Sequence, residues 1–224
     1  MKMPRSSLLP KNRMETTAPP GRQHESILEP KGRYFDPRHG AISIKVLPGE
    51  HYVTGNPDEM MVTVLGSCIS ACIRNPQTGF GGMNHFMLPE CNGKLWGGAE
   101  GALRYGNHAM ETLINDVLAQ GCARRDLEIK LFGAADVLRN VRPVGPENIE
   151  FVEHYLRNEG LPITAKDLGG NDARRIHYFP ATGKVKRMVL TRTDDNLVFN
   201  EERDYRSHIH VEKNSGAVEL FGDD

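Results

Sequence analysis

Several features that mark other classes of protein are scarce or absent in this 224-residue sequence. Cysteine occurs only four times, and no apolar signal segment precedes the first of them, which argues against a disulfide-rich secreted domain. No run approaches the roughly 18 apolar residues of a membrane span. The formal net charge is -1, so bulk charge gives no reason to expect binding to nucleic acid or to an anionic membrane. We therefore expect a soluble cytoplasmic protein with no membrane insertion and no nucleic-acid partner.

Composition divides the chain into three parts. Six of the fourteen prolines and twice as many basic as acidic residues fall within residues 1–40. Such a segment buries too little apolar surface to offset the entropy of ordering it, which predicts a flexible N-terminal tail. Apolar periodicity then continues to about residue 193, and the polar sequence over 194–224 is typical of a C-terminal extension. The predicted folded domain is thus residues 41–193.

Within this domain, apolar periodicity predicts both strands and helices. Alternating apolar residues are typical of half-buried strands, and three- or four-residue spacing is typical of amphipathic helices. Leu103 opens the apolar face of the first helix, Gly121 ends that helix, and Pro146 and Gly160 bound the second. The predicted strands are 41–47, 59–66, 68–74, 81–89, 127–133, 174–180 and 185–191. This order favours an α/β fold with a largely antiparallel mixed sheet and two main helices.

The segment Gly66-Ser67-Cys68 has features that suit nucleophilic chemistry. A small residue beside a cysteine lets a carbonyl approach the backbone, where N–H groups can stabilise an oxyanion. A thiol with a pKa of about 8.5 needs a nearby base to become a thiolate at neutral pH. His85 is the best-placed of the nine histidines, because a short turn joins its strand to that of Cys68 and adjacent antiparallel strands would bring the two together.

Two other roles for Cys68 remain open on the residues alone. Strand alternation puts Cys68, Ser70 and Cys72 on one face of 68–74, and a buried small cysteine is a common core residue. Zinc is the third possibility, since Cys68, Cys72, His85 and Cys91 are suitable ligand types. The spacing disfavours it, because four strand residues separate two thiols by roughly 13 Å. We therefore expect no metal and no cofactor.

A longer set of segments carries a resemblance to a known family. The stretches TVLGSCISACIRNPQTGFGGMNHFMLP, RYGNHAMETLINDVLAQG, EIKLFGAADV and LGGNDARR together resemble CheD, the bacterial chemoreceptor glutamine deamidases. The similarity runs in order from about residue 42 to residue 190. It implies that Cys68 and His85 are the catalytic pair, since the family places its histidine 17 residues after the cysteine of Leu-Gly-Ser-Cys.

The resemblance also implies a fold and an activity. The fold is a layered α/β/β domain, and the activity is that of a protein-glutamine glutaminase, a hydrolase that converts glutamines on the cytoplasmic helices of chemoreceptors into glutamates through a cysteine thioester. Some members are implicated in hydrolysis of receptor methyl esters, and in some bacteria the phosphatase CheC binds the deamidase. The alternative is a non-catalytic chemotaxis adaptor that binds receptors or a CheC-like phosphatase.

The third catalytic residue implied by the resemblance is a threonine that orients the histidine. Thr63 lies five residues before Cys68, whereas some members place the threonine six before, which here is Val62. Neighbouring residues of a strand face opposite sides, so only one of the two can address His85, and Thr63 is the prediction. The sequence also has Ala134 where the family usually shows a second glycine, and VGPEN where it usually shows Ile-Gly-x-Arg-Asn.

Overall fold

The computed structural model describes residues 32–88, 99–137 and 144–190. The elements within these ranges, in chain order, are β1 (Arg33–Asp36), β2 (Ala41–Lys45), β3 (His51–Thr54), β4 (Glu59–Leu65), β5 (Ile69–Arg74), β6 (Gly81–Asn84), α1 (Ala99–Leu118), a 3-10 turn (Arg124–Asp126), β7 (Glu128–Gly133), α2 (Gly145–Asn158), β8 (Ile163–Leu168), β9 (Arg174–Phe179) and β10 (Lys184–Val189). None of the helices in these ranges combines the length and apolarity needed to cross a membrane.

The strands form two five-stranded sheets. One, which we call the outer sheet, has the order β1-β2-β4-β9-β10, and the other, the central sheet, has the order β3-β6-β5-β7-β8. Parallel pairing occurs between β2 and β4 and between β7 and β8, and the remaining pairs are antiparallel. The prediction of an α/β fold with largely antiparallel mixed pairing is confirmed.

Two hydrophobic cores separate three layers. The first lies between the helices and the central sheet and contains Ile69, Ala71 and Ile73 of β5 together with apolar residues of α1 and α2. The second lies between the two sheets and contains Cys68 and Cys72. Alternation along β5 therefore divides its side chains between the two cores, as its sequence predicts. The result is the expected α/β/β layering.

Both predicted helices are present, with one difference on the first. Met110, Leu113 and Val117 of α1 are buried against the central sheet, but Leu103 is exposed. In the first turns of α1 the buried positions include Ala102 and Gly106, and a Cβ on Gly106 would contact the ring of Phe151. Leu103 lies outside this buried face although its spacing continues the apolar pattern. The prediction of Leu103 as a core residue is wrong.

Three strands escape prediction from the sequence, and all three are edge strands. β1 and β8 have mostly exposed or half-buried residues, and β3 has only four residues. An edge strand buries little side-chain surface, so its sequence shows weak alternation. Because β1 pairs with β2, regular structure is present inside the segment assigned to the N-terminal tail, and the domain boundary at residue 40 stays a prediction. Residues 1–31, most of the predicted loop after Pro89 (with Cys91), and the C-terminal extension at 194–224 lie outside the described residues.

Candidate active site

Cys68 lies in the short connection between β4 and β5 and is fully buried between the sheets. The backbone of this connection is held by the segment that follows β7. The N–H of Ala134 donates to the carbonyl of Cys68 at 2.7 Å, and the N–H of Ala135 donates to the carbonyl of Gly66 at 2.7 Å. The connection therefore has a defined conformation that sets the direction of the Cys68 side chain.

Gly133 makes this close approach of two backbone segments possible. Its φ is 117°, in the region that favours glycine. A Cβ atom at this position would lie 2.1 Å from the carbonyl oxygen of Cys68. Any side chain here would displace the backbone of Cys68, so the glycine is required at the end of β7.

Asn148 provides a second support for the same connection. It lies in the first turn of α2 and is fully buried. Its Nδ2 donates to the carbonyl of Ser67 at 2.8 Å, and its Oδ1 accepts the N–H of Leu88 at 2.8 Å. One amide thus links the residue before Cys68 to the chain just after His85. The sequence analysis missed this residue, because a single asparagine near a helix start is usually a surface or capping residue.

His85 follows β6 and reaches the same layer as Cys68. Ile69 and Phe86 exchange backbone hydrogen bonds at 2.8 and 2.9 Å, and both of their side chains lie in the core beneath the helices. Cys68 and His85 each adjoin one member of this pair, so both side chains face the opposite layer, between the sheets. They are diagonal neighbours on adjacent antiparallel segments, a relation that places side chains within reach of one another.

Thr63 of β4 contacts His85 from the outer sheet. Its Oγ1 lies 2.8 Å from His85 Nδ1 and donates to the carbonyl of Val46 at 2.7 Å. A hydroxyl has one proton, and here it is given to Val46, so Nδ1 of His85 must donate to Thr63. In the neutral imidazole the proton is then on Nδ1, and Nε2 keeps its lone pair.

The environment of His85 favours this neutral form. Burial is the main cause that lowers the pKa of His85 to about 4, the charge of Lys45 contributes in the same direction, and the Val46 carbonyl opposes the shift. His85 Nε2 is buried and has no hydrogen-bond partner among the described residues. An unpaired buried acceptor is uncommon and costs stability, so its presence in the layer that holds Cys68 is a functional signal. The site contains a base that is unprotonated at neutral pH.

Comparison with known proteins identifies the family. The family model described as CheD chemotactic sensory transduction matches residues 87–188. A probable chemoreceptor glutamine deamidase CheD of Rhodopseudomonas palustris (strain BisA53) is 56% identical over 84% of this chain and 89% of its own length. Its counterpart in Halorhodospira halophila (strain DSM 244 / SL1) is 51% identical with the same coverage. The chain belongs to the CheD family.

Solved structures add little to the CheD assignment. The Bacillus licheniformis hypothetical protein YfiH is similar over 52% of this chain and 49% of its own, with a TM-score of 0.35 and 11% sequence identity. So weak a likeness carries no argument about the fold or the site. The resemblance to CheD inferred from the sequence is nevertheless confirmed by the family model and the relatives.

The register of β4 determines which of the two candidate positions, Thr63 or Val62, faces His85. Thr63 is paired with Ile176 and faces the layer between the sheets, whereas Val62 is paired with His177 and faces the outside of the outer sheet. The chain has regular alternation here, so Thr63 contacts His85 and Val62 does not share its face. Thr63 lies within hydrogen-bond distance of His85, and its catalytic role remains a prediction.

The other cysteines of this CheD chain differ from Cys68 in their surroundings. Cys72 lies on the same face of β5, and burial raises the pKa of its thiol far above the ordinary value. Cys122 is partly exposed, and burial followed by the charge of Asp126 raises its pKa. Cys68, Cys72 and His85, three of the zinc-ligand types that the spacing disfavours, do not form a group of potential metal ligands within the described residues, which exclude Cys91.

The arginine after the paired glycines of LGGNDARR has a structural role. Arg174 is buried, and its guanidinium donates to the side chain and the carbonyl of Asp167 at 3.0 and 2.8 Å and to the carbonyl of Gly169. These bonds connect β8 of the central sheet to β9 of the outer sheet. The segment LGGNDARR is thus a glycine turn that leads into β9.

Proposed function

We propose that this CheD family member is a glutamine deamidase that acts on chemoreceptors, with Cys68 as nucleophile, His85 as general base and acid, and Thr63 orienting His85. The substrate class comes from the names of its relatives, which are probable chemoreceptor glutamine deamidases. The observation that carries the proposal is the Thr63–His85 hydrogen bond of 2.8 Å, because it leaves the lone pair of His85 Nε2 in the layer that holds Cys68.

The first half of the reaction forms a thioester. Nε2 of His85 takes the thiol proton, and the thiolate of Cys68 attacks the carboxamide carbon of the substrate glutamine. Backbone N–H groups around Gly66 to Cys68 stabilise the oxyanion. The imidazolium then protonates the departing nitrogen, and ammonia leaves.

The second half of the reaction returns the enzyme to its starting state. His85, neutral again, removes a proton from water as the water attacks the thioester carbonyl. The Cys68 thiolate leaves and is reprotonated by His85, and the product is a glutamate. Because Thr63 Oγ1 accepts the hydrogen bond from Nδ1–H throughout, the ring keeps one orientation in both half-reactions.

The same proposal extends to the location of the substrate glutamines, the location of the enzyme and a second protein partner. The substrate glutamines lie on cytoplasmic receptor helices, which places the enzyme in the cytoplasm, and a CheC-like phosphatase is a further partner. Since Cys68 is fully buried, a receptor glutamine reaches the thiol only if binding opens the packing above it. Affinity for the receptor therefore contributes to exposing the nucleophile.

Mass spectrometry of a chemoreceptor cytoplasmic fragment tests the proposal directly. After incubation with the full-length protein, glutamines should show the small mass increase of conversion to glutamate, with release of ammonia. Cys68→Ala should abolish both signals while the fold survives. Cys72→Ala is the matched control, because it removes a buried thiol from the same face of β5 and should retain activity.

The adaptor alternative predicts a different result. An adaptor would bind the receptor fragment, and neither the wild-type protein nor the variants would release ammonia. Activity retained in Cys68→Ala would contradict the assignment of the nucleophile, even if deamidation itself were found.

A further inference from the structure

A second cluster of chemically active side chains lies away from the candidate active site. Asp36 ends β1, His39 lies in the turn between β1 and β2, and His177 lies on β9. Each is partly buried, and their ligand atoms all lie within 4.8 Å of one another. Among the residues that the structure describes, this is the only group of three or more histidine, cysteine or acidic side chains that is close enough to share an ion.

The turn that carries Asp36 and His39 is held in one conformation by its own hydrogen bonds. The carboxylate of Asp36 accepts the N–H of Arg38 at 2.8 Å and lies 3.0 Å from His39 Nδ1. The carbonyl of Asp36 accepts the N–H of Gly40 at 2.9 Å, and Gly40 has a φ of 62° that suits glycine. Two of the three ligand side chains are thus already ordered by the backbone that carries them.

The third side chain comes from a strand distant in sequence. His177 is paired with Val62 on the face of the outer sheet that points away from the inter-sheet core, whereas its neighbours Ile176 and Tyr178 lie in that core. The ring of His39 stacks on the ring of His177 with centroids 4.6 Å apart and an interplanar angle of 25°. The turn is therefore packed directly over β9.

We propose that Asp36, His39 and His177 bind a divalent metal ion of the zinc class on the outside of the outer sheet. Two imidazole nitrogens and one carboxylate oxygen are the ligand types that such ions prefer. Bonds of about 2.0–2.2 Å to a shared ion require the three ligand atoms to move slightly closer together. Calcium and magnesium prefer oxygen ligands and fit this set poorly.

The three ligands leave room for water in the coordination sphere and connect two parts of the chain that are far apart in sequence. A bound ion would link the β1–β2 turn to β9, and β9 is paired with β4, which carries Thr63 on its other face. The charges of Arg175 and Lys186 lie near His177 and oppose a cation, while the carboxylate of Asp36 favours it. The ion is therefore expected to bind with moderate affinity and to stabilise the fold.

Cobalt binding to the full-length protein tests the proposal. After treatment with a chelator, Co²⁺ is titrated while visible and near-ultraviolet absorption, bound metal and thermal unfolding are recorded. We expect one Co²⁺ per chain without the intense charge-transfer band of thiolate ligands, and a rise in Tm on binding. His177→Ala should weaken binding by about 100-fold or more, as loss of a ligand costs at least as much as loss of a supporting residue.

Two further variants keep the test independent of misfolding. Asp36→Asn preserves shape and a hydrogen-bond acceptor but removes the charge, and it should also weaken binding. His154→Ala removes an exposed histidine of α2 and should bind Co²⁺ like the wild type. A thiolate band, binding that survives in His177→Ala and Asp36→Asn, or the absence of saturable binding would each overturn the proposal, whatever the result for deamidation.

Discussion

His85 and His177 lie on opposite faces of the outer sheet, and both have a lowered pKa, but their neighbours differ. Burial is the largest cause that lowers the pKa of both His85 and His177 to about 4. His85 lies between the sheets, bonded to Thr63 through one nitrogen, and its other nitrogen has no partner within the part of the chain that the structure describes. His177 lies on the outer face, stacked on His39 and close to Asp36. Burial thus decides that each ring is neutral at pH 7, and the neighbours decide whether a neutral ring acts as a base or as a ligand.

The largest effect is expected when the inner histidine is replaced. His85→Gln keeps a polar side chain of similar reach but removes the base, so the rate of deamidation should fall by about 100- to 10,000-fold. His108→Gln changes an exposed histidine on α1 and should leave the rate unchanged. A variant His85→Gln with wild-type ammonia release would show that the buried ring has a structural role only.

Stability at low pH is the second way to examine the buried rings. The unfolded chain binds a proton on His85 with a pKa near 6.5, whereas the folded protein does so only at about 4. Stability is therefore complete above pH 6.5 and falls as the pH decreases toward 4, by about 3 kcal/mol for this residue. His177 adds a smaller loss of the same sign, because it is only half buried.

The measurement is the free energy of unfolding by denaturant at several pH values. In His85→Gln the slope between pH 4 and pH 6.5 should decrease by about 1.4 kcal/mol per pH unit relative to the wild type. Equal slopes in the two proteins would mean that the imidazole of His85 is solvated in solution. His85 would then be no more buried than His177.

The third prediction compares substitutions at two adjacent residues, Thr63 and Val62, whose side chains lie on opposite faces of β4. Thr63→Val keeps the shape but removes the hydrogen bond that orients His85, so kcat should fall by roughly 10- to 100-fold. Val62→Thr places a hydroxyl on the opposite face and should change kcat little. An unchanged kcat in Thr63→Val would leave a Cys68–His85 dyad, and a fall in Val62→Thr alone would indicate that the strand is shifted by one residue in solution.

The smallest effect is expected at Ala134, which has a positive φ of 56° beside the Cys68 connection. An alanine in this region is strained by about 1–2 kcal/mol. Ala134→Gly relieves that strain but increases the entropy of the unfolded chain and removes a buried methyl group. The free energy of unfolding should therefore change by no more than about 1 kcal/mol, given these opposing contributions.

The neighbouring glycine supplies the contrasting variant for the same measurement. Gly133→Ala adds a Cβ where the Cys68 carbonyl oxygen would lie 2.1 Å away, and it should destabilise the protein by about 2 kcal/mol or more. Similar stabilities for Ala134→Gly and Gly133→Ala would mean that this connection is loosely held. The site around Cys68 would then be no more rigid than the outer turn at His39.

The sequence predicts much of the fold because local patterns decide local structure. Alternation along 68–74 correctly divides β5 between two cores, and the short turn after Arg74 correctly predicts antiparallel pairing of β5 with β6. The segments that resemble CheD contain both Cys68 and His85. The two residues lie at the open end of the β5–β6 hairpin, one just before β5 and the other just after β6. Edge strands such as β1 and β8 are missed, since they bury too little surface to show a period.

What the sequence by itself determined is therefore the set of strands and helices with a clear apolar period, the family, and the pair Cys68 and His85 as candidates. Only the tertiary structure decided which atoms meet across layers. The bond between Thr63 and His85 joins two sheets, and the amide of Asn148 reaches Ser67 from a helix. The ring of His39, in the β1–β2 turn, stacks on the ring of His177 on β9 of the same sheet. Such contacts depend on how sheets and helices stack, because side chains far apart in sequence become neighbours only when buried apolar faces bring their elements together.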